Sequence, residues 1–87
     1  MSDTSLFVEF VELLGETVED FSGEDVTLDD SLKDDLGFDS LIMLEVIVAV
    51  EERWGISIPE KEAEKFATVR AVVDYVAAAV NKVPRTA

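Results

Sequence analysis

Apolar residues recur three or four positions apart along most of this chain, and that spacing leaves little choice of fold. A helix completes a turn every ~3.6 residues, so this spacing lines one face of a helix and cannot line one face of a strand. The clearest stripe is Val69, Val72, Val73, Val76 and Val80. It predicts a last helix from Val69 to about Asn81, capped by Thr68. A second stripe, Phe7, Phe10, Leu14, Val18 and Phe21, predicts a first helix from about Ser5 to Phe21, with Glu9, Glu12, Glu16 and Glu19 on its opposite side.

The stretch from Ser22 to Asp39 is different. It holds Gly23, Gly37 and many carboxylates, which is loop chemistry. Val26, Leu28, Leu32, Leu36 and Phe38 are spread through it, and a solvated loop has no use for them. A loop pinned to the core is expected, with one helical turn near Ser31 to Leu36. A second helix follows from about Ser40 to Trp54, with Asp39 as N-cap and Gly55 at the C′ position that ends it. Ile56-Ser57-Ile58-Pro59 reads as extended, because a residue before proline is pushed out of the helical region. Pro59 then opens a short helix from Glu60 to about Lys65. The tail from about Lys82 contains Pro84 and is expected to fray. The sum is an all-α fold over residues 1–87: one small bundle of three main helices plus one short helix, with a long loop between the first and second.

Composition narrows the function. The 87 residues carry 20 Asp and Glu against 7 Lys and Arg, a net charge of -13, yet 48% are hydrophobic. Acidic disorder needs low hydrophobicity as well as high charge, so a folded acidic domain is expected. The charge disfavours nucleic acid and anionic membranes and favours partners with basic patches. Its distribution is uneven. Residues 1–45 hold 14 acids and one base, Lys33, while residues 46–87 hold 6 of each.

There is no Cys and no His, which removes disulfides, thiolate and imidazole metal sites, the cysteine nucleophile and the imidazole general base. Calcium fails on register, since a calcium loop needs an acidic first position and Glu at the twelfth. Gly37 at its sixth position puts Leu32 first and Met43 twelfth, and Gly23 puts Val18 first. No metal is expected. No apolar run reaches the ~20 residues of a membrane span, and the start of the chain lacks the basic segment of a signal peptide. A cytoplasmic monomer, not an enzyme, is the expectation.

The second helix has one apolar face too many. At about 100° per residue, Met43, Val46, Ile47, Val50 and Trp54 share the natural core side. Leu41, Leu44 and Val48 fall on another side, beside Ser40, flanked by Glu45, Glu51 and Glu52. Either the three aliphatic residues pack under the long loop, or they form a binding patch with a charged rim. Ser40 is open in the same way. Most serines at a helix start are caps. Without a histidine to activate it, a functional Ser40 is acted upon rather than acting.

Leu36-Gly37-Phe38-Asp39-Ser40-Leu41 resembles the Asp-Ser-Leu attachment motif of acyl carrier proteins. Here it opens a helix bearing Glu45, Glu51 and Glu52. Ile58-Pro59, Glu62-Ala63-Glu64-Lys65, Thr68-Val69 and Asp74-Tyr75-Val76 follow in order. The resemblance runs from about Leu36 to Val76. It implies that a phosphopantetheinyl transferase moves 4′-phosphopantetheine from coenzyme A to Ser40, and that the arm carries acyl groups as thioesters. It implies partner recognition through Asp39, Leu41, Leu44, Glu45, Val48, Glu51 and Glu52, and partners that include acyltransferase, ketosynthase and tailoring enzymes with basic docking patches. It implies an acyl pocket among the helices, for which Met43, Ile47, Phe66 and Val72 are candidate walls.

Ile42-Met43 and Arg53 to Pro59 look like discrete polyketide carriers; Glu62 to Lys65 and Asp74 to Val76 look like fatty-acid carriers. A chain of this length with its own Met1 reads as a discrete protein, and polyketide or other specialised acyl synthesis is the expected setting. Primary fatty-acid synthesis, a peptidyl or aminoacyl carrier, and an acidic helical interaction module without a prosthetic group are the alternatives.

Overall fold

A computed structural model describes residues 3–19, 21 and 26–82. Its elements are α1 (Asp3–Thr17), α2 (Ser40–Trp54), α3 (Glu60–Ala63) and α4 (Val69–Lys82). Among the described residues there is no strand, only an isolated antiparallel bridge between Ser31 and Thr68. The fold is all-α, with three main helices, one short one and a long connection between α1 and α2. Residues 83–87, on which the expectation of a frayed tail rests, and Gly23 lie outside the described residues.

α1 packs against both α2 and α4. The core joins Phe10, Leu13 and Leu14 of α1, Val46 and Val50 of α2, and Val69, Val72, Val73 and Val76 of α4. The valine stripe of α4 is buried as its spacing requires, with Val80 half-buried at the end. On α1 the buried face is wider than the stripe, because Leu13 is also inside. α1 ends at Thr17, four residues before Phe21. Its last helical hydrogen bond runs from Val18 N–H to the Leu14 carbonyl, 2.8 Å, and a tighter turn from Phe21 N–H to Val18 follows. Phe21 leaves the helix line to meet Phe38, with ring centroids 5.6 Å apart.

The long connection is fastened by backbone. Leu32 N–H donates to the Ala67 carbonyl (2.9 Å), Val69 N–H to Asp30 (3.1 Å) and Arg70 N–H to Leu28 (2.8 Å). These bonds tie the loop to the start of α4 and drive Leu32 and Phe38 into the core. The expected helical turn is present. Asp35 N–H and Leu36 N–H both donate to the Ser31 carbonyl, Asp34 N–H donates to Ser31 Oγ, and the Asp35 carboxylate accepts from Ser31 N–H at 2.7 Å. That is a reciprocal cap on a single turn. Arg70 adds an exposed ion pair to Asp29 at 2.9 Å; this hydrogen bond, with the Asp29 charge, holds the guanidinium pKa above its ordinary value.

The remaining boundaries have equally local causes. Thr68 Oγ1 accepts from Ala71 N–H, capping α4. Gly55 adopts φ 64, and the Glu51 carbonyl accepts from both Gly55 N–H and Ile56 N–H, which closes α2. α3 stops at Ala63, two residues short of Lys65, where Lys65 N–H and Phe66 N–H bond three residues back instead of four. The tighter turn swings Phe66 onto Tyr75, with centroids 5.5 Å apart.

Candidate functional site

Two opposite fates of adjacent residues build the site. Gly37 takes φ 72, a left-handed conformation that L side chains resist. The turn sends Phe38 inward, where it is buried and its N–H donates to the Leu32 carbonyl. Asp39 and Ser40 then emerge on the surface. Asp39 is extended, at φ -89 and ψ -176, and its Oδ1 accepts from Ile42 N–H at 2.9 Å. Asp39 is therefore the cap of α2 and Ser40 its first helical residue. Several other hydroxyls are committed: Thr27 donates to Asp30, Ser31 and Thr68 cap their turns, and Tyr75 donates to the Ser57 carbonyl. The Ser40 hydroxyl is exposed and makes no hydrogen bond to the described residues. Its neighbour has taken the capping work.

Ser40 opens onto a cleft of about 420 Å³ between α2 and α3. Met43, Ile47, Ala63 and Phe66 give it apolar walls, Leu44 stands at its edge, and Lys33, Glu60 and Glu64 give it polar ones. Three of the four expected wall residues meet there. Val72 does not: it is 1% exposed, packed into the core, and is no part of the cleft lining. It sits on the buried stripe of α4, which packs against α1, and a position on a buried stripe says nothing about which cavity it borders. Ala63, Glu60, Glu64 and Lys33 escaped the sequence analysis because their places depend on how α3 and the loop fold back.

The other face of α2 is uncovered. Leu41 is 65% exposed, Leu44 60% and Val48 48%, so the long loop does not shelter them. Leu44, Val48 and Ala49 line a shallow groove of about 440 Å³ with Glu45 and Glu52. Glu51 departs from the expected rim. Its Oε2 accepts from Ile58 N–H at 2.7 Å, and the residue is half-buried. Its place on the helical wheel, about 20° from Ser40, points it toward the returning chain rather than into the groove. Among the described residues no group of three or more Asp or Glu is placed to hold a metal, and no helix is long and apolar enough to cross a membrane.

The family model for the phosphopantetheine attachment site matches residues 8–76. The chain is also 44% identical over 78 residues to an acyl carrier protein of Streptomyces coelicolor, covering 90% of this chain and 85% of that one. This chain belongs to the acyl carrier proteins. Such carriers are not enzymes; they hold 4′-phosphopantetheine covalently. The residues fit that group. Attachment needs an accessible hydroxyl with no internal duty, beside space for a long substituent. Ser40 offers the hydroxyl, and both the cleft and open solvent adjoin it.

Proposed function

We propose that Ser40 carries the arm, that the Leu41, Leu44 and Val48 face of α2 docks partner enzymes through Glu45 and Glu52, and that the chain serves discrete polyketide or related specialised acyl synthesis. One observation carries the reading: Asp39 caps α2 and leaves Ser40 exposed with an unused hydroxyl. When bound, the arm supplies a terminal thiol to a chain that has no cysteine of its own.

The chain's own residues do the rest. The Asp39 cap fixes the first turn of α2, which holds Ser40 still for a transferase. Leu41, Leu44 and Val48 give up exposed apolar surface to a partner, and Glu45 and Glu52 steer and orient a basic one. We leave Glu51 out of this role because its Oε2 already accepts from Ile58 N–H. Met43, Ile47 and Phe66 line a space that accepts an acyl chain, with Ala63 beside them. Val72 supports that region only from within the core. The specialised pathway is favoured by the resemblance of Ile42-Met43 and of Arg53 to Pro59 to discrete polyketide carriers. Met43 bears on cargo directly, because it lines the cleft. We place the protein in the cytoplasm as a monomer. Its partners are a phosphopantetheinyl transferase and then acyltransferase, ketosynthase and tailoring enzymes with basic docking patches.

The deciding experiment is incubation with coenzyme A and a promiscuous phosphopantetheinyl transferase, read by intact-protein mass. One phosphopantetheine is gained, and Ser40→Ala abolishes the gain. A gain that survives Ser40→Ala overturns the assignment. Loading with malonyl, long-chain acyl or aminoacyl donors then separates the polyketide, fatty-acid and peptidyl settings.

A further inference from the structure

Lys33 is the only base among the first 45 residues, which hold 14 acids. A lone cation in such a field ordinarily pairs. Here no carboxylate among the described residues forms an ion pair with it, while Arg53, Lys65 and Arg70 each have one. Four of the five nearby aspartates are directed elsewhere, and the carboxylate of the fifth, Asp34, pairs with no cation among the described residues. Asp29 is bound to Arg70, Asp30 to Thr27, Asp35 to the Ser31 N–H and Asp39 to the Ile42 N–H. Lys33 instead lines the same cleft as Ser40. The single turn from Ser31 to Leu36 holds its backbone, and the burial of Leu32 just before it fixes the direction in which the loop presents it.

We propose that Lys33 is the counter-ion of the phosphodiester formed on Ser40. Modification adds a negative charge to a chain already at -13, at the edge of its most acidic half. Like charges crowd there, and a phosphodiester beside Asp39 needs a cation. An ammonium on a flexible stem meets that need as a point charge, without the fixed geometry an arginine imposes. Pairing at the root of the arm also biases the arm toward the cleft. Glu60 and Glu64 line the cleft too and repel an anion, which leaves Lys33 as the one cationic side chain in the lining. The inference rests on the assignment of the arm to Ser40.

The test compares apo protein, protein with the free-thiol arm, and protein with a malonyl-loaded arm. Each is labelled briefly with an acetylating reagent, and modification of Lys33 is measured against Lys61 by peptide mass spectrometry. Intact mass on the same samples reports whether Ser40 is modified, so failure of the attachment assignment is read separately. The expected result is a two- to fivefold fall in the Lys33 to Lys61 ratio on adding the free-thiol arm, about the range an exposed ion pair supports. The fall is lost in about 1 M salt, where screening is nearly complete. In addition, the ³¹P resonance of the arm shifts in Lys33→Gln and not in Lys61→Gln. An unchanged ratio on a modified Ser40 overturns the proposal. So does protection that survives high salt, which marks steric cover. Protection that appears only with the malonyl cargo assigns Lys33 to the cargo carboxylate and overturns it as well.

Discussion

The Glu51 carboxylate accepts a hydrogen bond from the Ile58 backbone N–H at 2.7 Å, clasping the chain that leaves α2 back onto the helix. The same residue's carbonyl accepts from Gly55 and Ile56. Glu51 thus organises the whole exit from α2 and positions Pro59, where α3 begins.

Removing that clasp leaves a half-buried donor without a partner. Glu51→Ala is expected to cost about 1 to 3 kcal/mol in urea denaturation. Glu51→Gln keeps an acceptor and restores most of it. Neither change is expected to lower the kcat/KM of a phosphopantetheinyl transferase at a temperature where the variant is folded. A loss in Glu51→Gln equal to that of the groove carboxylates would return Glu51 to the docking face.

Glu45→Lys and Leu44→Asp act on exposed positions. Each is expected to leave the melting temperature within about 2 to 4 °C, since surface changes seldom exceed about 0.5 kcal/mol and about 1 kcal/mol moves a domain this small by about 4 to 8 °C. Each is expected to lower transferase kcat/KM about tenfold, or 1.4 kcal/mol. For Glu45→Lys the loss shrinks as salt is raised, because it is electrostatic; for Leu44→Asp an apolar part persists.

Asp39→Ala removes the cap of α2 and is expected to cost about 1 kcal/mol, with Asp39→Ser recovering much of it. Gly55→Ala probes the other end. A Cβ there meets nothing within 4 Å, so the cost is conformational alone, about 1 to 2 kcal/mol from φ 64. Chemical denaturation measures both.

Leu14 is fully buried, and Leu14→Ala is expected to cost about 2 to 5 kcal/mol. In a domain this small that approaches the entire stability, so the variant shows partial unfolding at 25 °C by circular dichroism. Added salt is expected to raise the melting temperature of the unaltered protein by screening its crowded carboxylates.

Local rules written in the sequence were enough for much of this molecule. The valine spacing of α4, the Asp39 and Thr68 caps and the Gly55 stop each act within a few residues, so the bounds of α2 and the start of α4 follow from them. The Ser40 motif and the surplus apolar face of α2 are legible for the same reason: both are patterns along one helix. Where a property depends on a contact across the chain, the sequence is mute. The end of α1 is set by Phe21 meeting Phe38, and the length of α3 ends in a turn that sets Phe66 on Tyr75. Glu51 stands about 100° from Glu45 and Glu52 on a helical wheel, and only the returning Ile58 shows what it meets there. Val72 and Met43 are both apolar residues on helices, yet one fills the core and the other lines the cleft. Lys33 acquires its place in the cleft that Ser40 also lines because the loop is bonded to the start of α4, a pairing between distant segments. Periodicity and caps report one helix at a time, and the site arises where two of them and a loop converge.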